Sequence, residues 1–213
     1  MSQNLTITPA MLTELYERVQ SEMSEKRFRH TAAVAEMVGR LAELYCPHKR
    51  DMLTAAALLH DVTKEWKSDR HEAFLQSHGE IITPVDKAAP KTYHARTAAL
   101  IIPELYPAFA SDEIISCVRY HTTGRANMTL EEKLVYLADY IDDTRTFSDC
   151  VILRQAFWDA QPQHMTQAQR LRHLDRVMLL AFDMTVRILE EEGTPLHPDT
   201  HDARQYLLAT KQD

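Results

Sequence analysis

The segment Ala55-Ala56-Ala57-Leu58-Leu59-His60-Asp61-Val62-Thr63-Lys64 reads as an apolar helix that ends on a histidine and an aspartate. Its run of alanine and leucine has none of the alternation that marks a half-buried strand. Successive helical side chains point about 100° apart, so His60 and Asp61 cannot both face one core. They can converge on one ion if the helix ends beside it. A carboxylate can also bridge two ions, which an imidazole cannot. Taken alone, the dipeptide is equally well read as a helix end with a solvated histidine and a capping aspartate.

Working outward, the chain keeps to helical spacing. Thr8-Pro9 caps a helix with Leu12, Leu15, Tyr16, Val19 and Met23. Ser24 caps a second, with Val34, Val38 and Leu41 on one face, which Cys46-Pro47 ends. Ser68 opens a short polar helix that Gly79 closes, and residues 80–91 read as a loop with one turn. Further helices are expected from Thr92 to Ile102, stopping at Pro103, and from Ser111 to the His121-Thr122-Thr123-Gly124 stretch. Thr129 and Glu132 form a capping box ahead of Leu134, Leu137, Ala138 and Ile141. The pattern then predicts helices over 148–160, over 166–192 before Gly193, and over 203–210. The core stripe of the longest is Leu171, Leu174, Val177, Met178, Ala181, Met184 and Ile188. No hairpin turn, repeat or linker breaks the pattern. The expectation is an all-α fold, a single domain over 1–213 that ends in C-terminal helices.

Composition excludes several classes. The 213 residues carry 24 Lys and Arg against 31 Asp and Glu, a net charge of −7, which argues against a nucleic-acid-binding surface. Cys46, Cys117 and Cys150 are odd in number and form no C-x-x-C, against a disulfide scaffold or a zinc ribbon. No basic leader and no apolar run of about 18 residues is present, so a cytoplasmic protein with no membrane segment is expected. The conspicuous count is histidine, at 11.

Four of those histidines sit on apolar helices of their own. His30 shares a face with Val34, Val38 and Leu41; His60 ends the alanine-rich helix; His94 opens another; His121 follows Val118-Arg119-Tyr120. Asp139 interrupts Leu134-Val135-Tyr136-Leu137-Ala138, where an isolated charge costs several kcal/mol unless paired or ligated. A buried histidine taken singly is more often a hydrogen-bonded core residue than a ligand. Four histidines with Asp61 and Asp139 are explained together by a shared metal site. Imidazoles and carboxylates without thiolate disfavour a structural zinc site and calcium or magnesium alone. They suit iron, manganese, cobalt, nickel or paired zinc. Six ligands are many for one ion and fit two ions that share a bridging Asp61.

The order His30 … His60-Asp61 … His94 … His121 … Asp139 resembles the HD-domain metal-dependent phosphohydrolases. Arg27-Phe28-Arg29-His30-Thr31, Leu59-His60-Asp61-Val62-Thr63-Lys64, Tyr93-His94-Ala95, His121-Thr122-Thr123-Gly124-Arg125 and Leu137-Ala138-Asp139-Tyr140-Ile141 resemble the YqeK-type branch, as does the tail from Pro195 to Leu207. That branch comprises symmetrical bis(5′-nucleosyl)-tetraphosphatases, which hydrolyse diadenosine tetraphosphate to two ADP. Segment 65–91 departs most from the family pattern, and Gln205 stands where relatives often carry Asn.

The resemblance implies two iron ions. His30, His60, Asp61 and Asp139 would hold one, and Asp61, His94 and His121 the other. Two close cations make hydroxide available at neutral pH from a water between them, and that hydroxide would attack phosphorus. Asp61, Lys64 and Arg27 are the catalytic candidates. His30, His94, Arg125 and Arg145 join them as substrate-binding candidates, and by resemblance alone so do His197, Thr200 and Arg204. A homodimer is the expected assembly. The alternatives are the same centre acting on another nucleotide (a deoxynucleoside triphosphate, a guanosine polyphosphate or a nucleoside monophosphate), or a regulatory module that only binds. His48, His71, His78, His164 and His173 have polar neighbours and are expected in solvent, whereas Cys117 is expected in the core.

Overall fold

Side-chain caps set the helix boundaries. The computed structural model describes residues 6–210; positions 1–5 and 211–213 of the expected 1–213 domain lie outside it. Thr8 accepts from the Met11 amide and opens α1 (Pro9–Glu22). Ser24 accepts from the Arg27 amide and opens α2 (Glu25–Tyr45); α3 is Arg50–Leu59. α4 (Ser68–Ser77) and α5 (Pro84–Ala88) follow, the latter held by a Thr83–Asp86 capping box within the expected loop. α6 (Tyr93–Leu105), α7 (Asp112–Tyr120) and α8 (Leu130–Ile141) carry the middle of the chain, and the Thr129–Glu132 box is formed. α9 (Ser148–Trp158), α10 (Gln167–Glu192) and α11 (Pro198–Thr210) complete it. The fold is all-α, with no strand among the described residues.

Two boundaries differ from the sequence reading. α6 runs through Pro103 instead of stopping before it, because in the last turn the missing N–H removes a single bond. α11 starts at Pro198 instead of Ala203, since proline is well suited to a first helical position.

The short α3 lies at the centre, packed against α1, α2, α7 and α8. Leu53 and the whole of Ala55–Leu59 are buried, and the alanines let the neighbouring helices approach closely. α6 lies on α7, and α4 lies on α6. A C-terminal layer of α9, α10 and α11 covers α8. One apolar core joins Ile7 to Leu207 and includes Cys117.

Four residues differ in burial from the sequence reading. Leu171 and Ile188 are partly exposed, at 39% and 38%. Only the middle of α10, from His173 to Phe182, is covered by its neighbours. His71 and His173 are buried, not solvated. His71 hydrogen-bonds the Thr97 hydroxyl at 2.9 Å, and His173 the Phe157 carbonyl at 3.0 Å. His48, His78 and His164 are exposed.

Candidate metal centre

Helix ends deliver three of the four imidazoles. His60 is the C-cap of α3 and His121 that of α7, while His94 is the second residue of α6. His30 and Asp139 project from within α2 and α8. Asp61 follows His60 in the turn beyond α3, so the break in the helix lets both side chains reach one point.

Asp61 divides the histidines between its two oxygens. Oδ1 lies 3.2 Å from His94 Nε2 and 3.8 Å from His121 Nε2. Oδ2 lies 3.4 Å from His60 Nε2 and 3.9 Å from His30 Nε2. Asp139 Oδ1 sits on the second side, 2.9 Å from His30 Nε2 and 3.9 Å from His60 Nε2. His30, His60 and Asp139 each offer a ligand atom within 4.8 Å of one another, and so do His60, Asp61 and His121.

Main-chain carbonyls fix three of the rings. Nδ1 of His60, His94 and His121 lies 2.6, 2.8 and 2.7 Å from the carbonyls of Ala57, Lys91 and Val118. A carbonyl can only accept, so Nδ1 carries the proton and Nε2 faces the cluster with its lone pair. His94 Nε2 and His121 Nε2 then stand 2.9 Å apart, lone pair toward lone pair. His30 Nε2, His60 Nε2 and Asp61 Oδ1 are buried and have no hydrogen-bond partner. Such an atom costs about 1–3 kcal/mol when nothing satisfies it. Convergent lone pairs and an unpartnered carboxylate oxygen are what a transition-metal centre requires, so the residues fit the group that the donor set implies.

Electrostatics keep Asp61, Asp139, His94 and His121 in ligand form. Burial raises the Asp61 carboxyl, but the imidazoles and the Lys64 ammonium around it outweigh that and hold the group well below the usual carboxylate range. Asp139 is opposed by burial and likewise held low, by His30 and Arg145. Burial and the Lys64 charge push His94 well down, and burial with His60 lowers His121 to about 4. His30 differs: burial opposes protonation, but Asp139 and Asp142 raise it to about 9.

Three cations touch the cluster. Arg27 donates to Asp61 Oδ2 at 2.7 Å, and Arg145 to Asp139 Oδ1 at 2.5 Å. Lys64 Nζ lies 3.0 Å from His94 Nε2 and 4.0 Å from Asp61 Oδ1. The other candidates bond elsewhere. Arg125 donates to Glu132 and lies over the Tyr120 ring, and Arg204 donates to Asp183. His197 pairs with Asp86 at 3.3 Å, and Thr200 is buried on α11. His197 helps line a cavity of about 220 Å³ with Arg96, Arg119, Tyr120, Thr92 and Thr123, which flank His94 and His121 in sequence. Sequence reasoning missed Asp142, fully buried beside His30. Its place three residues after Asp139, on the same side of the chain, was the available signal.

The HD-domain model matches residues 27–144, more than half of the chain and all six convergent residues. The chain belongs to the HD-domain family. Similar curated proteins include one from Halalkalibacterium halodurans, 28% identical over 89% of this chain and 93% of its own. Another is from Bacillus subtilis, 24% identical over 90% and 94%. A third, from Staphylococcus aureus, is 31% identical over 60% and 64%. Each is named a symmetrical bis(5′-nucleosyl)-tetraphosphatase. An HD superfamily hydrolase from Clostridium acetobutylicum, described as involved in NAD metabolism, superposes with a TM-score of 0.78 at 25% identity, over 93% of this chain and 97% of that one. The chain's motifs and its relatives agree on the YqeK-type branch of these hydrolases.

Proposed function

We propose that this HD-domain hydrolase uses two transition-metal ions, iron by family resemblance, to cleave diadenosine tetraphosphate symmetrically. Water adds to one inner phosphorus, the central P–O–P bond breaks, and two ADP leave. The observation that carries the reading is the division of four imidazoles between the two oxygens of Asp61. His30, His60, Asp61 and Asp139 would hold one ion, and Asp61, His94 and His121 the other. Bound there, the ions would supply acidified water and charge neutralisation at the phosphoryl group.

The chain's own residues do the rest. Arg27, Lys64 and Arg145 ring the cluster and can turn from their carboxylates to phosphate oxygens. Arg27 and Arg145 suit paired contacts to phosphate oxygens, and Lys64 serves as a point charge. Positioning and charge balance are most of what phosphoryl transfer needs, because the ADP leaving group departs readily once neutralised. The cavity lined by Thr92, Tyr120, Thr123 and His197 would take a nucleoside arm, while Thr200, Arg204 and Arg125 are substrate contacts on the family resemblance alone.

The chain acts as one domain, on the ground of its continuous core; a homodimer is what the family resemblance alone implies. Among the described residues no helix is long and apolar enough to cross a membrane. The test is product analysis in ¹⁸O water with iron-loaded protein. ADP alone, half of it labelled, is expected. AMP with ATP would overturn the symmetrical reading. NAD, suggested by the name of the Clostridium neighbour, is the comparison substrate and would yield AMP and nicotinamide mononucleotide if it were cut.

A further inference from the structure

His30 is oriented by different means from the other three imidazoles. It is the sixth residue of α2, where the carbonyls one turn back are taken by the helix's own bonds. Its Nδ1 instead faces Asp142 Oδ2 at 3.3 Å, with the Thr144 hydroxyl at 3.5 Å. Asp142 is fully buried, and that same Oδ2 has no hydrogen-bond partner of full geometry. Its Oδ1 accepts from the Thr144 amide at 2.8 Å and from the Thr144 hydroxyl, which holds the carboxylate in place. Arg145 Nε lies 3.6 Å from Oδ2. Asp142 belongs to neither ligand group.

The geometry points to Asp142 as the positioning residue for His30, holding the proton on Nδ1 so that Nε2 is the ligand atom. The inference rests on the metal-centre reading above. A carboxylate in this place fixes the ring's rotation and strengthens the donor on its far side. The 142–145 turn thereby sets one ligand through Asp142 and, through Arg145, holds Asp139.

D142N tests it. The amide can keep its oxygen toward Thr144, and it then places an N–H donor against Nδ1. That arrangement favours the tautomer with its proton on Nε2, the wrong face. Co²⁺ titrated into chelator-treated protein, followed by absorption and calorimetry, should show two binding events in the wild type. In D142N the event assigned by H30A is expected to weaken by about 10–100-fold, with the other unchanged. T144V, which removes the 3.5 Å hydroxyl contact to Nδ1 and loosens the turn but keeps the Asp142–His30 contact, should stay within about threefold of wild type on the same scale of effects.

Unchanged affinity in D142N overturns the inference and leaves the metal centre standing. So does a T144V loss as large as that of D142N. A wild type that takes up no Co²⁺ overturns the metal reading itself. Should D142N fail to fold, the Zn²⁺-loaded wild type decides by ¹⁵N histidine NMR. A slowly exchanging Nδ1 proton on His30, assigned by its absence in H30A, is expected, and a His30 ring without one refutes the role.

Discussion

On the Oδ1 side of Asp61, His94 and His121 are held by carbonyls of the backbone that carries them. On the Oδ2 side His60 is held in the same way, by the Ala57 carbonyl, but His30 and Asp139 are held by side chains of the turn after α8: Asp142 and Arg145. The first arrangement cannot change without moving a helix end. The second can change by rotating a side chain, and one of its members, Arg145, is also a candidate phosphate contact. The cluster thus joins a rigid half to an adjustable one through a single carboxylate.

Removing that joint should have the largest effect. D61A is expected to lower turnover by at least about 10³-fold and to reduce bound metal on both sides, because the lost oxygens serve both. Metal analysis beside a turnover assay checks it. D61A protein that keeps two ions would break the division on which the comparison stands.

The rigid half is braced from behind. Gly124, three residues after His121, has φ 66°, and a Cβ there would stand 2.7 Å from Phe182 of α10 and 3.2 Å from Ala203 of α11. G124A therefore combines left-handed backbone strain with overpacking, for a cost of about 2–4 kcal/mol. The melting temperature should fall by about 5–15 °C. The metal event lost first should be the one that H121A also removes. A G124A melt within a degree of wild type would show that α10 and α11 yield easily, and that the half is not rigid.

On the adjustable half, R145Q should act more mildly. A charged hydrogen bond to Asp139 is replaced by a neutral one, worth about 1.5–3 kcal/mol, or about 10–100-fold in kcat/KM. A fall carried mostly by KM would assign Arg145 to substrate, and one tracked by metal loss would assign it to Asp139.

How much of this was legible follows from how local each signal is. Helix starts could be read because a cap is a property of three or four neighbouring residues, as at Thr129 and Glu132. The six convergent residues stood out because each is polar within or at the end of an apolar helix, and the structure brings His30 and Asp139, from separate helices, within 2.9 Å. Asp142 was hidden because it lies just past the apolar run of α8 and beside Asp143, which is exposed. His71 and His173 were hidden by charged neighbours in sequence, although Leu75 and Val177, four residues on, are buried on the same faces. The Glu80–Arg96–Asp86–His197 network joins segments over a hundred residues apart, and no local pattern announces it.

The smallest expected effect lies behind the rigid half. His71 bonds Thr97, whose hydroxyl lies 3.2 Å from the His94 carbonyl and 2.8 Å from the Thr63 hydroxyl. Burial, with the charges of Arg70 and Lys64, lowers His71 to about 4. The sign follows from which state binds the proton. Below about 6.5 the unfolded chain protonates this ring and the folded one does not, so stability falls as pH drops toward about 4 and then levels. The full loss is at most about 3 kcal/mol. H71N keeps a partner for Thr97 but cannot titrate, so its stability should change less across that interval. Urea melts of the metal-free proteins at pH 6.5 and 4.5 compare the slopes, which cancels any packing cost of the substitution. Equal slopes would mean that His71 is protonated in the fold, and that the support behind His94 is looser than its hydrogen bonds suggest.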